Sequence, residues 1–168
     1  IYNYRELRKE YFSSEKFRSD SDTELLLLML IRFGTEAFTK LRGMFAFVFF
    51  DTQEEKMILA CDAFGKKPLF YSWANSLFMF ASEPKALFAS GYLEAALDRE
   101  TVAPYLLHEY CPSPASGFEG VFTLGAGQYM EITKESRKIV RWWRPQVIPK
   151  HNISFQKAST KFDELLGQ

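Results

Sequence analysis

Residues 43–51 read GMFAFVFFD, and after the turn DTQEE (51–55) residues 56–62 read KMILACD. In the first stretch Met44, Ala46, Val48 and Phe50 point to one side and Phe45, Phe47 and Phe49 to the other, the period of two that marks a β-strand. Both sides are apolar, so both faces of this strand need cover, and Phe47 is expected at its buried centre. The polar turn sends the chain back antiparallel along KMILACD. PLFYSW (68–73), a short turn at Asn75 and Ser76, and LFMFAS (77–82) make a second hairpin by the same reading. Successive hairpins build antiparallel sheet, which argues against a Rossmann-type parallel fold even though helices are present. The expectation is an α+β chain with sheet packed on sheet and helices outside. Periodicity leaves the number of layers open.

Upstream, YRELRKEY (4–11) reads as a short charged helix and SSEKFRSD (13–20) as a polar connection. Ser21 and Glu24, three residues apart, form a capping box ahead of LLLLMLI (25–31), and Gly34 is the stop signal. That helix is apolar nearly all round and is expected to be buried. A brief helical piece spans residues 36–41. Downstream, EPKALFAS (83–90) is a short helix closed by Gly91, and residues 99–108 make another, opened by Asp98 as N-cap. EYCPSPASGFEG (109–120) is a loop leading to a closing hairpin, GQYMEIT (127–133) and KIVRWWRP (138–145). PQVIPKHN (145–152) is a linker, and Ser154 to Leu166 is a capped amphipathic helix.

The 168 residues have room for one domain with a sizeable core. Seventeen Phe and eight Tyr make that core aromatic. Twenty-one basic residues balance 21 acidic ones, so no overall field draws the chain to nucleic acid or to anionic lipid. The longest apolar run, Leu25 to Ile31, is far too short to span a membrane, and the polar first residues do not read as a signal peptide. The default compartment is the cytoplasm. Cys61 and Cys111 stand far apart, outside any CxxC or Cys/His cluster, so neither zinc nor a disulfide is suggested.

Few side chains suggest chemistry by themselves. Asp22, in the first turn after the cap Ser21, either complements the helix dipole or offers a rigidly held carboxylate to the ammonium of an amino-acid ligand. Cys61 lies inside a strand and reads as a buried, inert thiol. His108 ends a helix and His151 sits in the linker, neither beside a Cys or an acidic motif. Lys66 and Lys67 follow one glycine, too weak a signal for a phosphate cradle, and read as a solvated turn. Trp142 and Trp143 read as core and edge packing.

Five blocks in order resemble one family: IYNYRELR (1–8), SDTELLL (21–27), LRGMFAFVFFD (41–51), DAFGKKPLFY (62–71) and FASEPKALFASG (80–91). They are similar to the N-terminal glutaminase domain of asparagine synthetases, and LDRETVAPYL, VFTLGAGQYMEI and RWWRP fit the end of that domain. The resemblance implies a class II glutamine amidotransferase domain of the N-terminal-nucleophile hydrolase type, a four-layer αββα sandwich with antiparallel sheets, its first strands expected to be missing. In that family an N-terminal cysteine attacks the side-chain amide of glutamine, with its own α-amine as base. The ammonia passes to a C-terminal synthetase domain, where ATP and Mg²⁺ activate aspartate as β-aspartyl-AMP. Glutamine as ligand, the synthetase domain of the same polypeptide as partner and no cofactor in this domain are therefore implied. A homodimer is compatible with them.

Carried over residue by residue, Asp22 in SDTE would receive the glutamine α-ammonium. The family's nucleophile, its oxyanion-hole Asn-Gly and its carboxylate-binding arginine segment have no counterpart here, because the first residue is Ile1. The 168 residues alone are accordingly expected to be inactive. Residues 1–145 are expected to be the amidotransferase domain, and 146–168 the linker and first helix of the synthetase domain. The family usually has Arg where Cys61 stands and often Arg at Ala63, so an ion pair with Asp62 is expected to be lost. The connection from Tyr11 to Phe17 is also shorter. Two rival readings stay open: a paralogue acting on another acceptor, such as a phosphosugar or polysaccharide precursor, and a degenerate domain that only binds a partner.

Overall fold

A computed structural model describes residues 1–147 and 153–167. The period-two stretches pair as expected. β1 (Ala46–Asp51) runs antiparallel to β2 (Lys56–Cys61), and β3 (Phe70–Ala74) to β4 (Leu77–Ala81) through Asn75 and Ser76, both at positive φ. β5 (Val121–Thr123), β6 (Gln128–Ile132) and β7 (Arg137–Arg141) complete two antiparallel sheets, ordered β1-β2-β6-β7 and β4-β3-β5. The sequence reading took β6 and β7 as the closing hairpin and missed that Val121–Thr123 first pairs with β3 in the other sheet. The chain changes sheets within Leu124–Gly127.

Alternation along β1 and β2 sorts side chains into two cores. Phe45, Phe47, Phe49, Ile58 and Ala60 pack with Tyr129 and Trp142 against Leu25, Met29 and Leu30 of α2 (Asp22–Phe33) and Leu7 of α1 (Tyr4–Tyr11). Ala46, Val48, Met57, Leu59 and Cys61 face the other way, onto Leu69, Tyr71, Phe78, Leu124 and Met130, and fill the space between the sheets. α3 (Pro84–Ala89) packs on β3 and β4. Its following residue Ser90 touches Met79, which alternates with the inward Phe78, so α3 covers the outer face. The order of layers is helices, sheet, sheet, helix: the α+β sandwich with antiparallel sheets. α4 (Val102–His108) follows a 3₁₀ turn that Asp98 caps through the N–H of Glu100.

Three expectations are corrected. β1 is an edge strand among the described residues, so Phe47 is half-buried and Phe50 is exposed. α2 is not buried all round: Leu27 and Ile31, one turn apart on its outer side, stay exposed, Ile31 by 67%. A continuous leucine run conceals the stripe that separates Leu25, Met29 and Leu30 from that side. Ser21 caps α2 by accepting the N–H of Thr23, but Glu24 does not reach back to Ser21. Its carboxylate accepts the main-chain N–H groups of Arg18 and Ser19 and the Ser19 hydroxyl, which ties down the polar connection as well.

Gly34 ends α2 at φ +55°, a conformation a side chain would strain. α5 (Phe155–Leu166) begins at Ser154, whose hydroxyl accepts the N–H of Lys157. Most of the linker, with His151, lies outside the described residues. Among the described residues no helix is long and apolar enough to cross a membrane.

Candidate functional site

Asp22 is placed by the α2 cap, its side chain 42% exposed, in the lining of a cleft of about 660 Å³. The cleft runs beside the first residues of β1 and is walled by Ile1, Leu26, Met44 to Phe47, Lys67, Pro68, Ser82 and Glu83. Its volume lies within the range of small-molecule sites. Asp22 lies beside the Ile1 main chain in that lining. Its part-exposed carboxylate is open to a cationic group in the cleft.

The first residues are held beside the cleft by Asn3, which sequence reading passed over. Its amide donates to the Lys40 carbonyl at 2.9 Å and accepts the N–H of Arg42 at 2.9 Å. Tyr2 donates its N–H to the Arg42 carbonyl at 2.7 Å. A Cβ on Gly43 would lie 3.0 Å from the Tyr2 nitrogen and 3.1 Å from the Ile1 Cα, so the glycine permits this close approach. Asn3 sits inside the block IYNYRELR, where no local pattern marks its amide as buried.

The Phe45 and Lys67 parts of the lining depend on Asp62. This side chain is 1% exposed, and its two oxygens accept four main-chain N–H groups: Phe64 and Lys66 on Oδ1, Phe45 and Lys67 on Oδ2, at 3.0–3.2 Å. No ion pair holds it among the described residues, as expected from Cys61 and Ala63; amides satisfy it instead. Lys66 and Lys67 are exposed, as a solvated turn should be, yet Lys67 also lines the cleft. Glu83 at the rim pairs with Lys85 at 2.6 Å.

The other named residues lie apart. Cys61 is fully buried between the sheets, and desolvation, with the neighbouring Asp62 charge second, pushes its thiol up to about 12. Such a thiol is neither ionised nor reachable. Cys111 is a free, partly exposed thiol in the loop after α4. His108 ends α4, its ring 5.9 Å from Tyr110. Trp142 packs on Phe38 and Phe45, and Trp143 lies against Phe64, both as packing residues. Among the described residues no group of three His, Cys, Asp or Glu side chains could hold a metal ion.

A family model described as glutamine amidotransferase domain matches residues 1–143. The chain is 30% identical over 169 residues to asparagine synthetase [glutamine-hydrolyzing] 3 of Bacillus subtilis (strain 168), covering 99% of the chain and 26% of the relative. It is 39% identical over 117 residues to asparagine synthetase [glutamine-hydrolyzing] 1 of the same organism, with 69% and 18% covered. A putative asparagine synthetase [glutamine-hydrolyzing] of Mycobacterium tuberculosis (strain ATCC 25618 / H37Rv) is 32% identical over 172 residues, with 98% and 26% covered. The chain thus spans about a quarter or less of the length of these relatives. The glutamine phosphoribosylpyrophosphate (PRPP) amidotransferase of B. subtilis, complexed with ADP and GMP, superposes with a TM-score of 0.60 at 21% identity, covering 85% of this chain and 27% of that one. That likeness concerns the fold alone, an α+β sandwich with antiparallel sheets.

Proposed function

The chain belongs to the glutamine amidotransferase domain family, and on that premise we propose that it is the glutaminase part of an asparagine synthetase, binding glutamine in the cleft beside β1. The observation that carries this reading is the Asp22 carboxylate, fixed by a capped helix start and part-exposed in the lining of the cleft. Asp22 takes the α-ammonium of glutamine, and the cleft takes its body. Residues 1–145 form the amidotransferase domain and 146–168 lead into the synthetase domain of the same polypeptide. That partner, in the cytoplasm, uses ATP and Mg²⁺ to amidate aspartate with the ammonia released; this domain needs no cofactor of its own.

Within these 168 residues neither thiol serves as nucleophile. Cys61 is sealed and held protonated, and Cys111 stands in a loop outside the cleft lining. The 168-residue polypeptide alone therefore releases no glutamate. The test is a comparison, in the natural polypeptide that carries these residues, of glutamine-dependent with ammonia-dependent asparagine formation. The reading requires both activities, and requires Asp22→Asn to impair the first selectively. Product formed from an acceptor other than aspartate would move the assignment to a paralogue.

A further inference from the structure

Asp62 is not itself part of the cleft lining, yet it bonds the main chain of two lining residues that are distant in sequence. Phe45 and Lys67 lie 22 residues apart, on β1's entry and on the turn before β3, and both line the cleft. Their N–H groups converge on one carboxylate oxygen, Oδ2, at 3.2 and 3.1 Å. The Asp62 N–H also donates to the Phe45 carbonyl at 2.8 Å, so Phe45 is gripped by both polar groups of its main chain. The Asp62 carbonyl accepts Gly65 at 3.1 Å and Gly127 at 2.9 Å, which anchors the residue to the crossing between sheets. A Cβ on Gly127 would collide with the Trp143 carbonyl, so this crossing has no slack.

We propose that Asp62 is a positioning residue for the glutamine site: through Oδ2 it holds the Phe45 and Lys67 segments of the cleft lining in fixed register. The proposal rests on the glutamine-binding reading given above. A carboxylate can accept all four N–H groups at once, whereas an amide of the same shape has one accepting oxygen and turns an NH₂ toward the other pair. Asp62→Asn therefore releases one pair of amides. Either the Phe45–Lys67 clamp opens directly, or the Phe64–Lys66 turn that carries Lys67 loosens. In both cases the two lining segments lose their fixed register while the chemistry elsewhere stays intact.

The experiment uses the natural polypeptide carrying these residues and compares wild type, Asp62→Asn and Asp22→Asn by glutamine kinetics, ammonia-dependent activity and thermal melting. For Asp62→Asn we expect KM for glutamine to rise about tenfold, kcat to change much less, and ammonia-dependent activity to persist. A KM within twofold of wild type in a folded variant overturns the proposal, as does an equal loss of both activities. If Asp22→Asn leaves glutamine use intact, the site reading itself fails; if only Asp62→Asn is silent, the positioning role alone fails. Should Asp62→Asn not fold, hydrogen exchange in the wild type decides. Added glutamate should slow the Phe45 and Lys67 amides together, and unchanged exchange at both would overturn the proposal.

Discussion

Trp142 donates its indole N–H to the main-chain carbonyl of Cys61 at 3.2 Å. The bond runs from just past β7 to the end of β2, across the intervening β6, and closes the end of the strand that buries the thiol.

Cys61 is consequently expected to resist alkylation at pH 8 in the folded chain, where its thiol is raised to about 12, and to react on unfolding. Cys111, partly exposed, should label first. Mass spectrometry after a short iodoacetamide pulse reads both. The same 168-residue polypeptide should release no glutamate from glutamine, and turnover lost with Cys61→Ala would show that the buried thiol had been misjudged.

Phe38 and Phe47 rank differently in the structure than a reading of β1 as a fully buried strand would have them. Phe38 is fully buried among Phe47, Tyr129 and Trp142, so Phe38→Ala should cost about 3–5 kcal/mol. Phe47, half-buried on an edge strand, should cost roughly half as much on truncation. Urea unfolding of both variants gives the order, and a larger loss for Phe47→Ala would contradict the edge placement of β1.

The Arg18 N–H, and after it the Ser19 hydroxyl, hold the Glu24 carboxyl below the usual range. A depressed carboxyl stabilises the fold above its unfolded pKa, and that contribution is lost as the pH falls through its folded value. Acid should therefore loosen the connection before α2 below the ordinary carboxylate range, while neutral and alkaline pH leave it unchanged. Ser19→Ala should raise the Glu24 titration point, measured by carboxyl NMR; a titration equal to that of a solvated Glu in both proteins would contradict the cap.

The hairpins were legible because period-two alternation is local, and β1 to β4 lie where GMFAFVFFD, KMILACD, PLFYSW and LFMFAS placed them. β5 was not, because its three residues share an apolar run with the crossing to β6 and carry no turn signal of their own. The exposed side of α2 was hidden by an unbroken leucine run. Glu24 missed its expected partner Ser21 and bonds Ser19 and Arg18, two and three residues upstream of it. The cleft itself was illegible, since it gathers Ile1, Asp22, Phe45, Lys67 and Glu83 from five separate stretches. The helix start singled out Asp22, but only the resemblance favoured its ligand role over the helix dipole, and it gave Asp62 no role beyond a missing ion partner.

The claim that this cleft binds glutamine rests most directly on Asp22. Asp22→Asn in the natural polypeptide should leave the melting temperature nearly unchanged, since a helix-dipole contact at an exposed first turn is worth at most about 1 kcal/mol. It should lower kcat/KM for glutamine about tenfold or more, because a charge-assisted contact becomes a neutral one. Product formation from free ammonia should hold at the wild-type rate. Equal loss of both activities would reveal a folding defect, and glutamine kinetics identical to wild type would return Asp22 to the helix dipole and contradict the account.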